Sequence, residues 1–386
     1  MEKKELCTIA FTGDISFDRY MLSKWEDENL LSKDIFDFLN ESDYVVANVE
    51  GALYSADDLN NRGVFFHSMN PLAANFLNKI NANIWNIANN HIMDAGIEGL
   101  INTISLANKS NYQTIGAGIN DIEASKPIYI NKASGIGIFA VAYMSECIPA
   151  DKNNPGIFRW DDLDLISKRI KQIKENNRWC IIVSHGGEEF ADLPNPYTRD
   201  RYLKYLQLGA DIVVAHHPHV VENYELFDDK AIFYSLGNFI FDTDYQRAHP
   251  YTDTGVLLKL IFSDDSFNFE SMGIKIDRNN ERIIKCDLPA IYTNITEKDY
   301  KLLSPLSSKM FLKEEIKRMK FLEPERFNNA SKEDIYNYFN SEDIEGYDKG
   351  SHMDLSLVLK NAIKVKDKDY LLSDKKDVVD YILRNE

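Results

Sequence analysis

Along most of the chain, short apolar runs alternate with segments in which apolar residues recur every three or four positions. Short runs rich in Val, Ile and Ala are typical of strands buried on both faces. The predicted strands are Thr8–Thr12, Tyr44–Val49, Ile84–Ile87, Gly137–Ala142, Cys180–Ser184, Ile212–Ala215 and Ala231–Ser235. The predicted helices are Pro71–Ile80, Ile97–Ser110, Asp161–Glu175 and Thr198–Leu208. This alternation predicts an α/β layered domain.

The pattern changes towards the end of this domain. Gly255–Phe262 and Phe267–Ile276 alternate apolar and polar residues around a short turn, which predicts an antiparallel hairpin. After Asp287, Lys, Glu and Asp dominate the composition. We therefore predict that the main domain covers residues 1–290.

The remaining residues, 291–386, are predicted to form a mainly helical extension, because their apolar residues fall at three- and four-residue intervals. Ser304-Pro305 is the predicted start of one helix, since proline is favoured in a first helical turn. Ser331-x-x-Asp334 resembles a capping box and predicts the start of a second helix. The extension is expected to dock on the main domain or on a second subunit and to carry no metal ligand.

Polar residues collect at the carboxyl ends of the predicted buried strands, where five of the eight histidines lie. In open α/β sheets this edge is where ligands bind. The residues there are Gly13-Asp14, Asn48-Val49-Glu50, Asn89-Asn90-His91, His185-Gly186-Gly187-Glu188-Glu189 and His216-His217-Pro218-His219. In an extended segment His217 and His219 would project to the same side, which favours metal binding.

Each of these groups also has a structural interpretation when it is considered alone. Asp14 can cap a helix, Asn90-His91 can form a turn, and His185 can be a hydrogen-bonded core histidine. Together they offer a mixed shell of carboxylate, amide and imidazole donors without thiolate, which favours Mn, Fe or Zn. One or two such divalent ions can activate water for hydrolysis, and an unligated histidine can act as general acid.

Charge and hydropathy exclude several classes of function. The formal net charge is −17, which disfavours non-specific binding to nucleic acid or to anionic membrane surfaces. No stretch approaches the roughly 20 consecutive apolar residues of a membrane span. The sequence therefore predicts a soluble, cytoplasmic protein that does not bind nucleic acid.

The chain resembles the CapA family of poly-gamma-glutamate capsule biosynthesis proteins, whose domain is itself similar to calcineurin-like metallophosphoesterases. The similarity runs from about Phe11 to about Asp242 and keeps the family's order of motifs. The motifs are Gly13-Asp14 with Arg19, Asn48-x-Glu50-Gly51, Ala88-Asn89-Asn90-His91-x-x-Asp94 with Gly99-Leu100, Gly116-Ala117-Gly118, His185-x-Gly187-x-Glu189, Gly209-Ala210-Asp211, His216-His217-Pro218-His219, and Tyr234-Ser235-Leu236-Gly237-Asn238-Phe239.

This resemblance implies a four-layer α/β/β/α metallophosphoesterase-like sandwich with a metal centre on the strand ends and a C-terminal helical extension. The implied metal ligands are Asp14, Glu50, Asn90, His185, His217 and His219. His91 corresponds to the acid–base histidine of the resembling phosphoesterases. Arg19 and Glu189 are the other predicted catalytic residues, with Arg19 suited to bidentate pairing with a substrate carboxylate or phosphate.

Four further positions qualify the resemblance. Asn48 is expected at or beside the metal ligands, and Asn238 either closes the site or occupies a plain turn. Ser16 stands where the phosphoesterases carry a ligand histidine, which bears on whether two ions bind. Gly186 stands where the family usually has Trp, so we expect an aromatic wall to be missing from the pocket.

The resemblance implies a metal-dependent, hydrolase-like enzyme linked to poly-gamma-glutamate or a related cell-envelope polymer. One alternative is a soluble metallophosphoesterase that acts on a small phosphorylated molecule. Another is a non-catalytic, metal-binding partner of a polymer synthase. The expected partners are a small-molecule or gamma-glutamyl polymer substrate, together with either a homo-oligomer or a polymer-synthase complex.

Overall fold

A computed structural model of the protein describes residues 6–54, 65–143, 147–331 and 334. Within these residues the chain forms eighteen strands and nine α-helices. In chain order the strands are β1 (Cys7–Ile15), β2 (Tyr44–Val49), β3 (Ala52–Leu53), β4 (Ser68–Met69), β5 (Ile84–Asn86), β6 (Gln113–Ile115), β7 (Ala117–Gly118), β8 (Ile128–Ile130), β9 (Ile136–Ala142), β10 (Gly156–Ile157), β11 (Trp179–His185), β12 (Ile212–His216), β13 (Tyr224–Phe227), β14 (Lys230–Phe233), β15 (Asn238–Ile240), β16 (Thr254–Phe262), β17 (Phe267–Asp277) and β18 (Arg282–Cys286).

The helices lie between these strands and at the end of the described chain. They are α1 (Lys33–Asn40), α2 (Ala73–Lys79), α3 (Gly96–Lys109), α4 (Asp121–Ala124), α5 (Leu163–Lys174), α6 (Pro196–Leu208), α7 (Asp244–Arg247), α8 (Glu297–Leu322) and α9 (Pro324–Phe327). All the predicted strands and helices of the main domain, and the predicted hairpin, are confirmed to within a few residues.

Two mixed sheets form the centre of the molecule. The first has the order β18-β17-β16-β1-β2-β5-β6, and β15 also pairs with the end of β1. Its strands β1, β2, β5 and β6 are parallel, whereas β16, β17 and β18 are antiparallel. The second sheet has the order β13-β14-β12-β11-β9-β8, with a parallel centre of β14, β12, β11 and β9.

Alternation of side chains along β11 shows how the layers pack. Ile181 and Val183 belong to the core between the sheets, together with Phe11 of β1. Cys180 and Ile182 point the other way and pack with buried residues of α5 and α6. Helices α1, α2 and α3 contribute buried side chains to the core around the first sheet. The predicted four-layer α/β/β/α sandwich is therefore confirmed, and its parallel strands are buried on both faces as their apolar runs require.

The strand ends that carry the polar residues meet at one edge of the sandwich. In the first sheet four polar residues lie in register on adjacent strands, and we name them the polar row: Asn238, Asp14, Asn48 and Asn86. In the second sheet His185 of β11 is in register with His216 of β12.

Helix α8 corrects the predicted start of the extension. It begins at Glu297 behind a capping box formed by Thr296 and Asp299, and Pro305 lies inside it. The predicted start at Ser304-Pro305 is wrong because the capping box starts the helix earlier. The helix then continues through Pro305, although proline has no backbone N–H to donate. Ser331 and Asp334 exchange the predicted capping hydrogen bonds, but the helix expected after them lies outside the described residues.

Helix α8 docks on the segment between β11 and α6. Tyr300 donates its hydroxyl to the carbonyl of Pro194 at 2.9 Å, and Ser307 donates to the carbonyl of Leu193 at 3.1 Å. The docking half of the prediction is thus confirmed for the described part of the extension. The domain boundary between residues 290 and 291 stays a prediction.

Candidate metal centre

Three members of the polar row are joined by buried hydrogen bonds across the first sheet. The amide of Asn86 donates to Asn48 Oδ1 at 2.6 Å, and the amide of Asn48 donates to Asp14 Oδ1 at 2.7 Å. A Cβ on Gly13 would lie 2.2 Å from the Gly237 carbonyl oxygen, so this approach of the two chain segments requires glycine at position 13. The hydrogen bonds and this close approach therefore hold the Asp14 carboxylate in place beside the amide of Asn48.

Asn48 also connects the two sheets. Its Nδ2 lies 3.3 Å from Nδ1 of His185, at the end of β11, as well as 2.7 Å from Asp14 Oδ1. One side chain thus fixes the distance between a carboxylate of the first sheet and an imidazole of the second. The expectation that Asn48 lies at or beside the ligands agrees with this position.

Four histidines of the second sheet converge on Asp14 and Glu50. His219 Nδ1 lies 3.1 Å from Asp14 Oδ2 and 3.0 Å from Asn238 Oδ1. His216 Nδ1 lies 3.5 Å from Asp14 Oδ1. The rings of His185 and His217 are 5.0 Å apart between centroids.

The extended geometry expected for His217-Pro218-His219 is wrong. His217 has φ 98° and His219 has φ 58°, so the segment turns sharply after β12. Both residues adopt the left-handed region that disfavours side chains with a Cβ, and the buried surroundings must hold them there. The two rings nevertheless lie 6.1 Å apart and face the same cluster.

Glu50 is the group whose surroundings most need a cation. Its side chain is fully buried, and neither carboxylate oxygen has a hydrogen-bond partner among the described residues. The nearest cationic candidates are Nε2 of His219 at 3.5 Å and Nε2 of His185 at 3.7 Å. A buried carboxylate without donors is costly unless it is neutralised or coordinates a metal, so the residues present fit a divalent ion.

Asp14, Glu50 and His185 meet the geometric requirement for ligating one ion together. Each offers one ligand atom, and these atoms all lie within 4.8 Å of one another. Two carboxylates and one imidazole match the mixed donor set expected from the sequence. Asn90 lies at the same place, because its Oδ1 is 3.0 Å from Nε2 of His185.

Protonation of the cluster follows from burial and from the neighbouring charges. Burial raises the pKa of Glu50 to about 8. Burial opposes ionisation of Asp14, but its contacts with His216 and His219 outweigh this and hold its pKa below the usual value. For His219 the burial penalty is outweighed by Glu50 and Asp14, which raise its pKa to about 10. The contacts therefore favour an ionised Asp14 beside a protonated His219 in the metal-free cluster, whereas burial favours the neutral form of Glu50.

Burial favours the neutral form of His185 and of His217. Burial lowers the pKa of His217 to about 4 and that of His185 well below its usual value. A neutral imidazole offers a lone pair, which is the form that ligates a metal. His217 Nδ1 is buried and has no hydrogen-bond partner among the residues that the structure describes.

His91 lies beside the ligand candidates and is oriented by a carboxylate. Its Nδ1 is 2.9 Å from Asp94 Oδ2, and its Nε2 is 3.0 Å from the amide nitrogen of Asn90. Asp94 therefore accepts from Nδ1, which assigns the proton to that nitrogen and leaves Nε2 as the reactive atom. This is the arrangement expected of an acid–base histidine.

The known side-chain contacts of Arg19 and Glu189 are with residues other than the candidate ligands. Arg19 Nε lies 3.4 Å from Asp18 Oδ2, and its Nη2 donates to the carbonyl of Phe66 at 3.4 Å. Glu189 accepts from the hydroxyl of Tyr245 at 3.4 Å, and although burial opposes its ionisation, the charges of the nearby histidines lower its pKa. Their catalytic roles stay predictions.

Two histidines of the site were missed by sequence reasoning as individual functional residues. His216 is the last residue of a buried strand in register with His185, and that shared position is a signal that could have identified it. His67 stands directly before the two-residue strand β4, and its ring lies 4.4 Å from that of His91. Nothing in the local pattern around His67 predicts this contact.

The expected loss of an aromatic wall at Gly186 is compensated by other residues. A Cβ at Gly186 would lie 2.7 Å from the Cβ of Tyr143 and 3.0 Å from the ring of Trp160. Tyr143 in turn lies 6.4 Å from the ring of His217. Asn238, expected in a closing loop or a turn, instead lies in β15 and orients His219.

Fold and site define a two-sheet sandwich with a buried oxygen and nitrogen cluster on its strand ends. A family model described as "Bacterial capsule synthesis protein PGA_cap" matches residues 8–243. The chain belongs to this family of capsule synthesis proteins, which confirms the predicted CapA resemblance.

Curated relatives agree with the family match. The chain is 30% identical over 291 residues to "PGA biosynthesis protein CapA" of Bacillus subtilis, an alignment that covers 73% of this chain and 75% of that protein. It is 28% identical over 259 residues to "Capsule biosynthesis protein CapA" of Bacillus anthracis, covering 64% of this chain and 62% of that protein.

Among solved structures, the 5'-nucleotidase of Candida albicans aligns with a TM-score of 0.41 and 11% identity, over 93% of this chain and 57% of that chain. This score is too low for the likeness to carry an argument. In the described part of the chain, no helix combines the length and apolarity needed to cross a membrane.

Proposed function

We propose that this protein is a metal-dependent hydrolase that acts in the synthesis of poly-gamma-glutamate or a related cell-envelope polymer. The observation that carries the proposal is the fully buried Glu50 carboxylate, which has no hydrogen-bond partner within the described part of the chain and faces Asp14 and His185. Family membership supports the link to capsule synthesis.

The residues proposed to hold the ion are Asp14, Glu50 and His185, joined by the other predicted ligands Asn90, His217 and His219. A bound divalent ion would lower the pKa of a water molecule and polarise the bond under attack. The donor set favours Mn, Fe or Zn, and Ser16 in place of a ligand histidine favours one ion over two.

The chain's own residues supply orientation and proton transfer. Asn48 holds Asp14 and His185 at a fixed separation through its amide. Asp94 accepts from Nδ1 of His91, so that Nε2 can first take up a proton from water and then give it to a leaving group. Arg19 is proposed to pair with a substrate carboxylate or phosphate, and Glu189 to orient groups at the margin of the cluster.

A polymer-linked substrate is favoured over a small phosphorylated molecule because two curated relatives carry capsule or PGA biosynthesis in their names. For this chain the substrate class is therefore proposed as a gamma-glutamyl polymer. A polymer-synthase complex is proposed as the setting in which it acts.

The experiment is metal analysis of the protein purified without chelator, followed by a screen of gamma-glutamyl peptides and phosphate esters with the metal found. Bound metal and turnover of gamma-glutamyl peptides are the expected results. Turnover of phosphate esters alone would replace the proposed substrate class. Metal without turnover of either would favour a non-catalytic partner, and absence of metal after reloading would contradict the proposal.

A further inference from the structure

His67 is a buried histidine that the proposed mechanism does not use. Its Nδ1 lies 3.0 Å from Asp18 Oδ2, and 5% of the residue is exposed. Burial and the neighbouring His91 lower its pKa to about 4. With Nδ1 facing a carboxylate, the neutral ring carries its proton on that nitrogen.

Two contacts join His67 to His91. The rings meet edge to face, 4.4 Å apart at an interplanar angle of 87°. The main-chain N–H of His67 donates at 2.7 Å to Asp94 Oδ2, the same oxygen that lies 2.9 Å from His91 Nδ1. The position of Asp94 and one side of the His91 ring are therefore both set by the same residue.

Phe241 and Asp18 are further neighbours that fix the position of His67. Its ring lies 5.1 Å from that of Phe241, which packs 4.8 Å from the ring of His219. Asp18 accepts from the main-chain N–H of Arg19 at 2.7 Å, so the partner of His67 is itself fixed. These contacts fix His67. A residue that positions a reactive side chain to within a fraction of an ångström must itself be fixed in this way.

We propose that His67 is a positioning residue for His91: its ring and its main-chain N–H together fix the rotamer and the tautomer in which His91 meets the substrate. The consequence for proton donation rests on the proposed function, but the effect on the His91 ring does not. Asp94 and the Asn90 amide lie at the two nitrogens of His91, and the His67 ring, set perpendicular to that of His91, restricts its turning about the axis through these two contacts.

The first measurement needs no turnover. With ¹⁵N-labelled histidine, NMR reports the rate at which the Nδ1–H of His91 exchanges with water, and His91→Asn assigns the signal. His67→Asn retains an amide donor for Asp18 but removes the ring, and we expect exchange to accelerate about tenfold or more. His67→Gln carries the same expectation and serves if His67→Asn does not fold.

Two further variants make the measurement specific. His67→Phe keeps an aromatic face against His91 and should stay within about threefold of the wild type. Ser68→Ala, on the next residue of the same segment, should leave exchange unchanged, because Ser68 donates to the carbonyls of Ala52 and Tyr54. Unchanged exchange in His67→Asn and His67→Gln overturns the proposal, and so does His67→Phe exchanging as fast as His67→Asn.

Activity gives a second, separate readout. For whichever substrate class the wild type hydrolyses, His67→Asn should slow a substrate with a poor leaving group about tenfold more than its nitrophenyl counterpart, which needs little protonation. A purely structural role would slow both equally, and that result contradicts the proposal. A wild type that hydrolyses neither class would refute the proposed function and leave the exchange measurement to decide the role of His67.

Discussion

The two sheets contribute different donor groups to the site, and these groups differ in how far hydrogen bonds already fix them. In the polar row of the first sheet, Asn86, Asn48 and Asp14 are hydrogen-bonded in succession. Among the histidines at the end of the second sheet, the rings of His185, His217 and His219 lie near one another, and in the described structure Nδ1 of both His216 and His217 is buried without a hydrogen-bond partner.

This difference shows where the site is rigid and where it is open. The first sheet presents Asp14 from a preorganised frame, and its open group is Glu50, just beyond the end of β2. The second sheet supplies the neutral nitrogens. Neither sheet holds the whole donor set, so a cation would be bound only where the sandwich brings the two edges together.

The largest effect is expected from removing the negative charge of Glu50, the first-sheet carboxylate that lacks hydrogen bonds to the described residues. Glu50→Gln keeps the shape but loses the charge, and we expect metal affinity to fall by more than the about 10–100-fold typical of an outer-shell partner, with turnover lost as well. Mass spectrometry of the purified protein measures the metal. Glu98→Gln, an exposed carboxylate on α3, is the control, and equal metal content in both variants would contradict the ligand role.

The second prediction separates chemistry from metal binding. His91→Asn should retain metal and fold and lose turnover by about 10²–10⁴-fold, because it removes the proton donor beside the cluster. Metal content and steady-state rates on the best substrate are the two measurements. Wild-type turnover in this variant would make His91 a structural residue.

The third prediction tests the bridge between the sheets. Asn48→Leu fills a similar volume without an amide, so Asp14 and His185 lose the group that fixes their separation. We expect metal affinity to fall about 10–100-fold, as for other outer-shell partners. Titration with Mn²⁺ or Zn²⁺ measures this, and an affinity equal to that of the wild type would show that the two sheets are held in place without Asn48.

The fourth prediction concerns pH. The pKa of Glu50 is raised from its ordinary 4.5 to about 8, so the folded protein keeps a proton that the unfolded chain has already released. Stability from this group is complete below pH 4.5 and is lost as the pH rises through 8. In the metal-free wild type Glu50 alone should therefore contribute a loss of about 1 kcal/mol of unfolding free energy between pH 7 and pH 8.

Metal binding responds in the opposite direction, because the ion displaces that proton. Affinity should rise about tenfold per pH unit for each proton released over the same interval. Urea unfolding of the metal-free protein and metal titration at each pH give the two slopes. In Glu50→Gln the loss of stability should be smaller, and an identical slope in that variant would assign the effect to other groups.

The sequence predicts the site residues at strand ends better than it predicts those in turns and loops. Strand ends such as Asp14 and His185 are visible because a buried apolar run stops at a polar residue, and parallel strands bring those ends to one edge. The turn at His217 and His219 was not predictable, because residues with a Cβ adopt positive φ only where the surrounding structure imposes it. His67 was missed because its contact with His91 joins segments that no local pattern relates.

The last prediction has the smallest expected effect. It tests whether α8 only covers the main domain or contributes to the metal centre. Tyr300 of α8 donates its hydroxyl to the Pro194 carbonyl, and its ring lies 4.2 Å from the guanidinium of Arg199. Tyr300→Phe removes the hydrogen bond and keeps the ring, so unfolding free energy should fall by about 1 kcal/mol while metal content stays unchanged. Urea unfolding and mass spectrometry on the same sample test both. A variant that is as stable as the wild type but poorer in metal would show that α8 contributes to the centre, against the prediction that the extension carries no ligand.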